Sequence, residues 1–364
     1  MRTALVIGGS GPTGPWIVQG LQERGYRVTT LSRGVHPYDH GSDVEQIAAD
    51  PHFAEPLQQA LGNREFDVAI ASYGRLAVIA QVLAGRVGHL LCAGGFAAYR
   101  GWQDPAANFP AGLVLPTPED APTITDKSEN RFAALIAGAE AAVFSHHPSA
   151  TIFRYPCVYG PRQLMPREWS IVRRVLDDRR TLLLTDGGQL LITHGYAENL
   201  AHAIMLAVEQ PANAAGKAYN CGDLQQYTEG QIVEIAGRAL GVELDWVSVP
   251  NTRQGHALAT LQNTHHRLMD ISLIRADLGY RDKVPALAAI EKTVRWYAEH
   301  PLERGGEIEK KMIDAFDYAA EDQAIALARE FEQKLNAVQT NAIDFVHPYA
   351  HPKAPGDGRD EKGR

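Results

Sequence analysis

A glycine-rich segment near the start of the chain is the feature that most constrains its fold. The segment GGSGPTG follows the apolar run TALVI and leads into a helix-patterned stretch. Gly9, Gly11 and Gly14 satisfy the spacing GxGxxG, and Gly8 precedes them. Glycines in this context permit a tight turn and let backbone N–H groups approach a pyrophosphate at a helix N-terminus. The segment therefore predicts a βαβ unit that binds a dinucleotide.

Short apolar runs alternate with helical patterns through the first half of the chain. We expect buried strands at 3–8, 26–31, 67–71, 88–93 and 150–155, and helices at 12–24, 53–61, 74–85 and 126–146. This alternation predicts the α/β class, with a Rossmann-type, doubly wound parallel sheet. The stretch 94–125 is rich in Pro and Gly, and a connection of that length usually serves a function. We expect it to cover a site.

The length of 364 residues allows one large domain with a smaller lobe. We predict a Rossmann domain over 1–160 with additional elements from 190–222, and a smaller C-terminal substrate lobe over 161–300. A helical C-terminal extension follows over 301–346, and a polar tail over 347–364 is expected to be disordered. The extension carries an apolar face made of Phe316, Ile325, Leu327, Phe331 and Leu335.

Composition excludes several classes of protein. The net charge is −8 and the Lys and Arg residues are scattered, so we expect no nucleic-acid partner. The three cysteines have no CxxC spacing, which predicts reduced thiols. No apolar run approaches the roughly 18 residues that a membrane span needs. We expect a cytoplasmic protein without a membrane partner, and the histidine pairs lack the spacing of a metal site.

The end of the second strand indicates which dinucleotide binds. An NAD site would place an acid there, whereas this chain has Ser32 and Arg33, which suit a 2′-phosphate. A surface arginine in a loop is the alternative. We predict NADP(H), with NAD(H) less favoured, and Asp50 near the adenine amine. The cofactor contacts expected from these strands are Gly8, Gly9, Ser10, Gly11, Pro12, Thr13, Gly14, Ser32, Arg33, Asp50, Ala71 and Ser72.

Four segments resemble the extended short-chain dehydrogenase/reductase family, the branch that holds sugar-nucleotide epimerases and dehydratases. They are GGSGPTG, FRYPCVYGPRQ (153–163), THGYAENLAHAI (193–204) and KAYNCGDLQQYTEGQIVEIAGRALG (217–241). The resemblance covers about residues 1–300. It implies that Tyr155 and Pro156 lie beside the nicotinamide.

The resemblance also implies a catalytic pair that this chain lacks. Family members use a Tyr and a Lys four residues later, because a tyrosinate base needs a nearby cation to lower its pKa. The register given by Glu140 puts Phe132 and Ile136 at those positions, and Gly95 at the position of a hydroxyl residue. No Tyr is followed four residues later by Lys anywhere from 120 to 150. The helix keeps an apolar stripe, with Asp126 as its expected cap.

Other residues are candidates for the missing chemistry. Tyr99, in the long loop, Tyr73, after the third strand, and His194, at the edge of the lobe, are the catalytic candidates. Each has a structural alternative, either core packing or closure of a hydrogen-bond network. Arginines after the YGP turn could bind a carboxylate or phosphate, or pair with Glu168 or Glu198. The expected substrate contacts are Gly95, Phe132, Ile136, Tyr159, Arg162, Arg167, Trp169 and Tyr196.

Three functions remain open at this point. The first is an NADP(H)-dependent oxidoreductase that acts on a small, largely apolar or aromatic carbonyl or enone. The second is a redox-neutral epimerase, isomerase, dehydratase or lyase that uses the same cleft, and the third is a non-catalytic NADP(H) sensor or partner-binding protein. We also expect a small-molecule substrate and a homodimer paired through the helices at 74–85 and 126–146.

Overall fold

The structure, a computed structural model, describes residues 1–72, 74–341 and 355. The predictions for Tyr73 and for the tail over 347–364, Pro355 apart, fall outside the described residues. Within the described part, none of the helices combines the length and apolar character needed to cross a lipid bilayer.

Seven parallel strands form the central sheet, and they are β1 Thr3–Ile7, β2 Arg27–Ser32, β3 Glu45–Ala48, β4 Phe66–Ala71, β5 Val87–Gly95, β6 Thr151–Tyr155 and β10 Ala218–Asn220. Across the sheet their order is β10-β6-β5-β4-β1-β2-β3. The five predicted strands are present within one or two residues at each end. Strands β3 and β10 form the two edges and were not predicted. The predicted fold class is confirmed.

Helices cover both faces of the sheet, because alternate residues of each strand point to opposite sides. Ala4 and Val6 of β1 pack in one core with helices from residues 14–23 and 197–209, whereas Leu5 and Ile7 pack in the other. The helices around the sheet are α1 Gly14–Glu23, α2 Ala54–Leu61, α3 Leu76–Leu83, α4 Arg131–His146, α6 Ala197–Glu209, α7 Pro211–Ala214 and α10 Ser272–Leu278.

The lobe after β6 is built on two short parallel strand pairs. Strand β7 (Cys157–Tyr159) pairs with β9 (His194–Tyr196), and β8 (Thr181–Thr185) pairs with β11 (Asp245–Val249). A third apolar core lies between them and the helices α5 Arg167–Leu176, α8 Glu229–Leu240 and α11 Ala286–Glu299. Helix α9 Arg253–Leu258 packs through Leu258 on a smaller core beside β8 and β11.

The C-terminal extension packs on this lobe through buried ion pairs. Its helices are α12 Glu307–Lys311 and α13 Tyr318–Asn336. Arg174 of α5, 1% exposed, pairs with Asp314 and Glu321 of the extension. Ile325 is buried, but Leu327, Phe331 and Leu335 are mostly exposed, so the expected apolar face is packed only in part.

Candidate functional site

The glycine loop between β1 and α1 has the geometry that a pyrophosphate requires. Gly8 has a φ of 100°, a conformation that side chains disfavour. A Cβ on Gly14 would lie 2.1 Å from the Gly9 carbonyl oxygen, so only glycine fits there. Thr13 is the N-cap of α1 and Pro12 precedes it. The loop therefore fits a dinucleotide, whose pyrophosphate would lie at the N-terminus of α1.

Strands β2, β3 and β4 place the other expected cofactor residues at the carboxyl edge of the sheet. Ser32 ends β2 and its Oγ accepts a hydrogen bond from the Gly34 N–H. Asp50 Oδ1 accepts hydrogen bonds from the N–H and the Nδ1 of His52, which hold the pKa of Asp50 below its usual range. Ser72 hydrogen-bonds the Ile7 carbonyl between β1 and β4. Ligands of open α/β sheets bind in this crevice.

A cleft of about 1120 Å³ opens beside the expected nicotinamide position. Its walls include Gly95 at the end of β5, Tyr155 and Pro156 after β6, and Phe132 and Ile136 on α4. Phe132 is 59% exposed, so it faces the open cleft rather than the core. Phe132 and Ile136 occupy the positions expected for the family's Tyr and Lys. The structure thus places both in the cleft wall, and this part of the wall is apolar.

Helix α4 begins later than expected. Asn130 is its N-cap and accepts a hydrogen bond from the Ala133 N–H, whereas Asp126 accepts one from the Ser128 N–H in the preceding turn. The expectation that Asp126 caps this helix was wrong, because a second capping residue lies closer to the apolar stripe.

Tyr99 lies outside the cleft lining. It is 1% exposed, its hydroxyl donates to Asn220 Oδ1 at 2.7 Å and accepts from Arg154 Nη1 at 2.6 Å. Burial raises the pKa of Tyr99 to about 12. Because both partners of this hydroxyl are internal, the geometry favours the structural alternative over the predicted role as proton donor.

The same buried cluster contains an ion pair that sequence reasoning missed. Arg154 Nη2 lies 2.9 Å from Glu140 Oε2, and both side chains are buried. A Cβ on Gly94 would lie 2.8 Å from Glu140 Oε1, so the pair sits directly behind the cleft floor. In the sequence, Glu140 served only to align this helix with the catalytic helix of the family. A glutamate on an apolar helix face is itself a signal of a buried partner.

A second cavity, of about 470 Å³, adjoins the cleft and shares Pro156, Cys157 and Met165 with it. Two arginines line this cavity, Arg167 and Arg267. Sequence reasoning identified Arg167 but missed Arg267, which lies beside residues 191–193 through backbone pairing.

The two arginines have only uncharged hydrogen-bonding partners among the described residues. Arg167 donates to Cys157 Sγ at 3.5 Å, to Asn263 Oδ1 at 2.6 Å and to the Leu261 carbonyl. Arg267 donates to Thr264 Oγ1 and His265 Nε2 and lies 5.2 Å from the Trp102 ring centroid. Burial lowers the pKa of Arg267. Neither guanidinium group hydrogen-bonds a carboxylate of the residues that the structure describes, although the buried Glu229 lies within electrostatic range of both. Guanidinium groups without a hydrogen-bonded carboxylate are suited to bind an anion.

Four predicted residues pack inside the lobe instead of lining either large cavity. Tyr159 donates to Asp223 Oδ2 at 2.7 Å, and Trp169 donates to Glu309 Oε1 at 2.7 Å. The Tyr196 ring packs 5.5 Å from that of Tyr159. Burial lowers the pKa of His194 to about 3, so this imidazole is neutral at physiological pH. The expected substrate contacts of Tyr159, Trp169 and Tyr196 are therefore disfavoured, because the lobe core already occupies these side chains.

Arg162 lies apart from Arg167. Its guanidinium carbon is 4.5 Å from the ring centroid of Tyr38, which belongs to the connection after β2. The described residues contain no group of three or more His, Cys, Asp or Glu side chains that could hold a metal ion.

Comparison with known proteins is consistent with this geometry. The model of the NAD dependent epimerase/dehydratase family matches residues 133–222. A dTDP-glucose 4,6-dehydratase from an Actinoplanes strain is 28% identical over 171 residues, which are 46% of this chain and 50% of that protein. A UDP-D-apiose/UDP-D-xylose synthase from Oryza sativa is 27% identical over 148 residues, 39% of this chain and 37% of that protein. The chain spans at most about half the length of these relatives.

Solved structures share the fold. The Bordetella bronchiseptica enzyme WbmH in complex with NAD+ has a TM-score of 0.66 at 16% identity, covering 83% of this chain and 100% of that one. A dTDP-glucose 4,6-dehydratase from Bacillus anthracis in complex with NAD has a TM-score of 0.63 at 16% identity, covering 82% and 97%. The chain thus shares the fold of these two enzymes. The expected resemblance to the NAD dependent epimerase/dehydratase family, a family of enzymes, is confirmed.

Proposed function

We propose that the protein binds NADP(H) and oxidises or reduces a small, largely apolar carbonyl or enone substrate that carries an anionic group. The observation that carries the proposal is the junction of two cavities. The apolar cleft ends at Pro156 and Cys157, where the cavity with Arg167 and Arg267 begins. A substrate with an apolar body would fill the cleft, and its carboxylate or phosphate would reach the arginines.

The residues of the chain have separate tasks in this proposal. A bound nicotinamide would supply or accept the hydride, which requires chiefly that the two reacting carbons are held together. Phe132 and Ile136 exclude water from the reacting carbon. Lys127, Tyr155 and Cys157 line the cleft and are the candidate proton donors there. Reduction of an activated double bond places little demand on a Tyr and Lys pair, because solvent can protonate the product.

The preference for NADP(H) rests on Ser32 and Arg33. We expect NADPH to bind the wild-type protein at least about tenfold more tightly than NADH, since a charge-assisted contact to a 2′-phosphate contributes about 1.5–3 kcal/mol. Arg33→Ala should abolish the difference, whereas Arg253→Ala, an exposed arginine on α9, should keep it. Nicotinamide fluorescence during titration measures both. Equal binding of the two cofactors by the wild-type protein contradicts the NADP(H) preference.

A redox-neutral reaction in the same cleft is the second candidate. It is favoured by the matched family and by the names of the two curated relatives, a dehydratase and a nucleotide-sugar synthase. Absorbance at 340 nm separates the candidates. The proposed oxidoreductase consumes or forms NADPH as substrate is converted, whereas a redox-neutral enzyme converts substrate with no net change in absorbance.

We further propose a homodimer that pairs through 74–85 and 126–146. Leu135 of α4 is 50% exposed, and the small residues Gly138 and Ala141 are exposed on the same helix, whereas Ala133, Ala134 and Ala137 are buried in the protein's own core. Analytical ultracentrifugation should give twice the chain mass, and Leu135→Glu should give the monomer. A monomeric wild-type protein contradicts this part of the proposal.

A further inference from the structure

The connection between β2 and β3 reaches across the carboxyl edge of the sheet instead of returning directly. We name residues 34–40 of this connection the strap. At its end nearest β3, the His40 imidazole hydrogen-bonds the backbone of Gly9 in the glycine loop. Its Nε2 lies 3.4 Å from the position that a Cβ on Gly9 would occupy. The strap therefore contacts the loop at which a pyrophosphate would bind.

The middle of the strap contacts the opposite lobe. The Tyr38 ring packs 4.7 Å from the His40 ring on one side, and the Arg162 guanidinium carbon lies 4.5 Å from its centroid on the other. Arg162 follows the turn after β7, in the lobe that carries the arginine cavity. His36 lies within electrostatic range of Glu307 at the start of α12. The strap thus connects the glycine loop, the turn after β7 and the extension.

Two further features support a specific contact. Within the strap, Tyr38 and His40 are partly buried, whereas Gly34, Val35, His36, Pro37 and Asp39 are exposed. Arg162 has a φ of 66°, a left-handed conformation that a non-glycine residue adopts only where its surroundings hold it. The partly buried side chain of Tyr38 and the left-handed backbone of Arg162 therefore meet at one place, the Tyr38–Arg162 contact.

We propose that the strap closes over the bound dinucleotide, with Tyr38 and Arg162 as a clasp, and that opening this clasp controls cofactor release. The inference rests on the proposed cofactor site, since a dinucleotide on the glycine loop would run through the crevice that the strap crosses. Tyr38 and Arg162 are positioning residues in this scheme. If the clasp opens slowly, the cofactor stays bound between turnovers. A redox-neutral enzyme can reuse a retained cofactor, whereas an oxidoreductase must release it in each cycle.

Stopped-flow displacement of NADPH by excess NADP+ tests the clasp through the rate constant of NADPH release. Tyr38→Ala and Arg162→Gln should each raise this rate constant about fivefold, and the double variant no further than either single variant, because the two residues form one contact. Tyr38→Phe keeps the aromatic face and should release NADPH at the wild-type rate. Val35→Ala, in the exposed part of the strap, is the matched control.

The outcomes separate the strap from the cofactor proposal. Wild-type release rates in Tyr38→Ala and Arg162→Gln overturn the clasp and leave the proposed function standing. Independent, multiplicative effects in the double variant also overturn it. Binding by Tyr38→Ala but not by the wild-type protein supports a strap that shuts the site. A wild-type protein and a Tyr38→Ala variant that both bind neither NADPH nor NADH overturn the strap and the proposed function together.

Discussion

One buried arginine lies behind the cleft floor and two partly buried arginines line the adjoining cavity, and the partners of these arginines differ. Behind the cleft floor, Arg154 is paired with Glu140 and also donates to Tyr99. In the adjoining cavity, Arg167 and Arg267 contact carbonyl, amide, thiol, imidazole and hydroxyl groups but no carboxylate within the described residues. The difference distinguishes an arginine whose charge the fold already compensates from arginines whose charge is available to a ligand.

The largest expected effect concerns the compensated arginine. Arg154→Met would leave the Glu140 carboxylate buried without its cation, and breaking a buried ion pair in this way costs about 3–5 kcal/mol. We expect a loss of that size in the free energy of unfolding, measured by urea denaturation. Arg267→Met in the same assay should cost less than about 1 kcal/mol, because no buried carboxylate loses a hydrogen-bonded partner. Equal losses in the two variants would contradict the distinction.

The second prediction concerns ligand binding by the other group. A panel of aryl enones and ketones, each with and without a carboxylate, should show higher kcat/KM for the anionic members. Arg267→Met should reduce that kcat/KM about 30-fold, since a charge-assisted hydrogen bond contributes about 2 kcal/mol, and should leave the neutral members unchanged. Arg253→Met controls for net charge. A uniform loss across the panel would assign Arg267 to the fold instead of the substrate.

Local chemistry explains which parts could be predicted from the sequence. The strands of a parallel sheet are buried on both faces, so runs such as TALVI and DVAIA are recognisable without context. The edge strand β3, EQIA, has an exposed face, and β10 has three residues, so neither gives a clear pattern. The glycine loop is contiguous in the sequence, and each of its glycines meets a different steric requirement, so the loop is also recognisable without context.

The candidate site could be predicted only where it is local. Arg167 was expected because it follows the YGP turn, whereas Arg267 reaches the cavity through pairing with residues 191–193, which no spacing reveals. The position of Tyr99 in the chain indicated the right loop but not the direction of its side chain. That direction is set by Arg154 and Asn220, which belong to two other strands.

The third prediction concerns the cleft wall itself. Ile136→Lys would put a charged group beside the substrate position, where the proposed function needs an apolar surface. We expect kcat/KM for a neutral enone to fall about tenfold, or about 1.4 kcal/mol. Gln58→Lys, on an exposed position of α2 outside the cleft, should have no effect. If Ile136→Lys instead raises kcat/KM, the apolar wall reflects the loss of acid–base residues. It is then not an adaptation to an apolar substrate.

The prediction with the smallest expected effect tests whether the charge of Arg167 is compensated by its neighbour Glu168. Glu168 is buried, its Oε2 has no hydrogen-bond partner, and burial raises its pKa from 4.5 to about 6, against the opposing influence of Arg167. The folded state therefore binds its proton more tightly than the unfolded state does. The stability that this group contributes is present below pH 4.5 and is lost as the pH rises through about 6.

Glu168→Gln, which cannot ionise, should escape that loss. Relative to the wild-type protein, its free energy of unfolding should rise by about 1 kcal/mol between about pH 5 and pH 8, measured by urea denaturation at both values. The opposite sign, a variant that loses stability at pH 8 relative to pH 5, would mean that the folded state lowers the pKa of Glu168 instead of raising it, because the ionised carboxylate is compensated by Arg167. Arg167 would then resemble Arg154, and Arg267 would remain as the arginine with its charge available to the substrate.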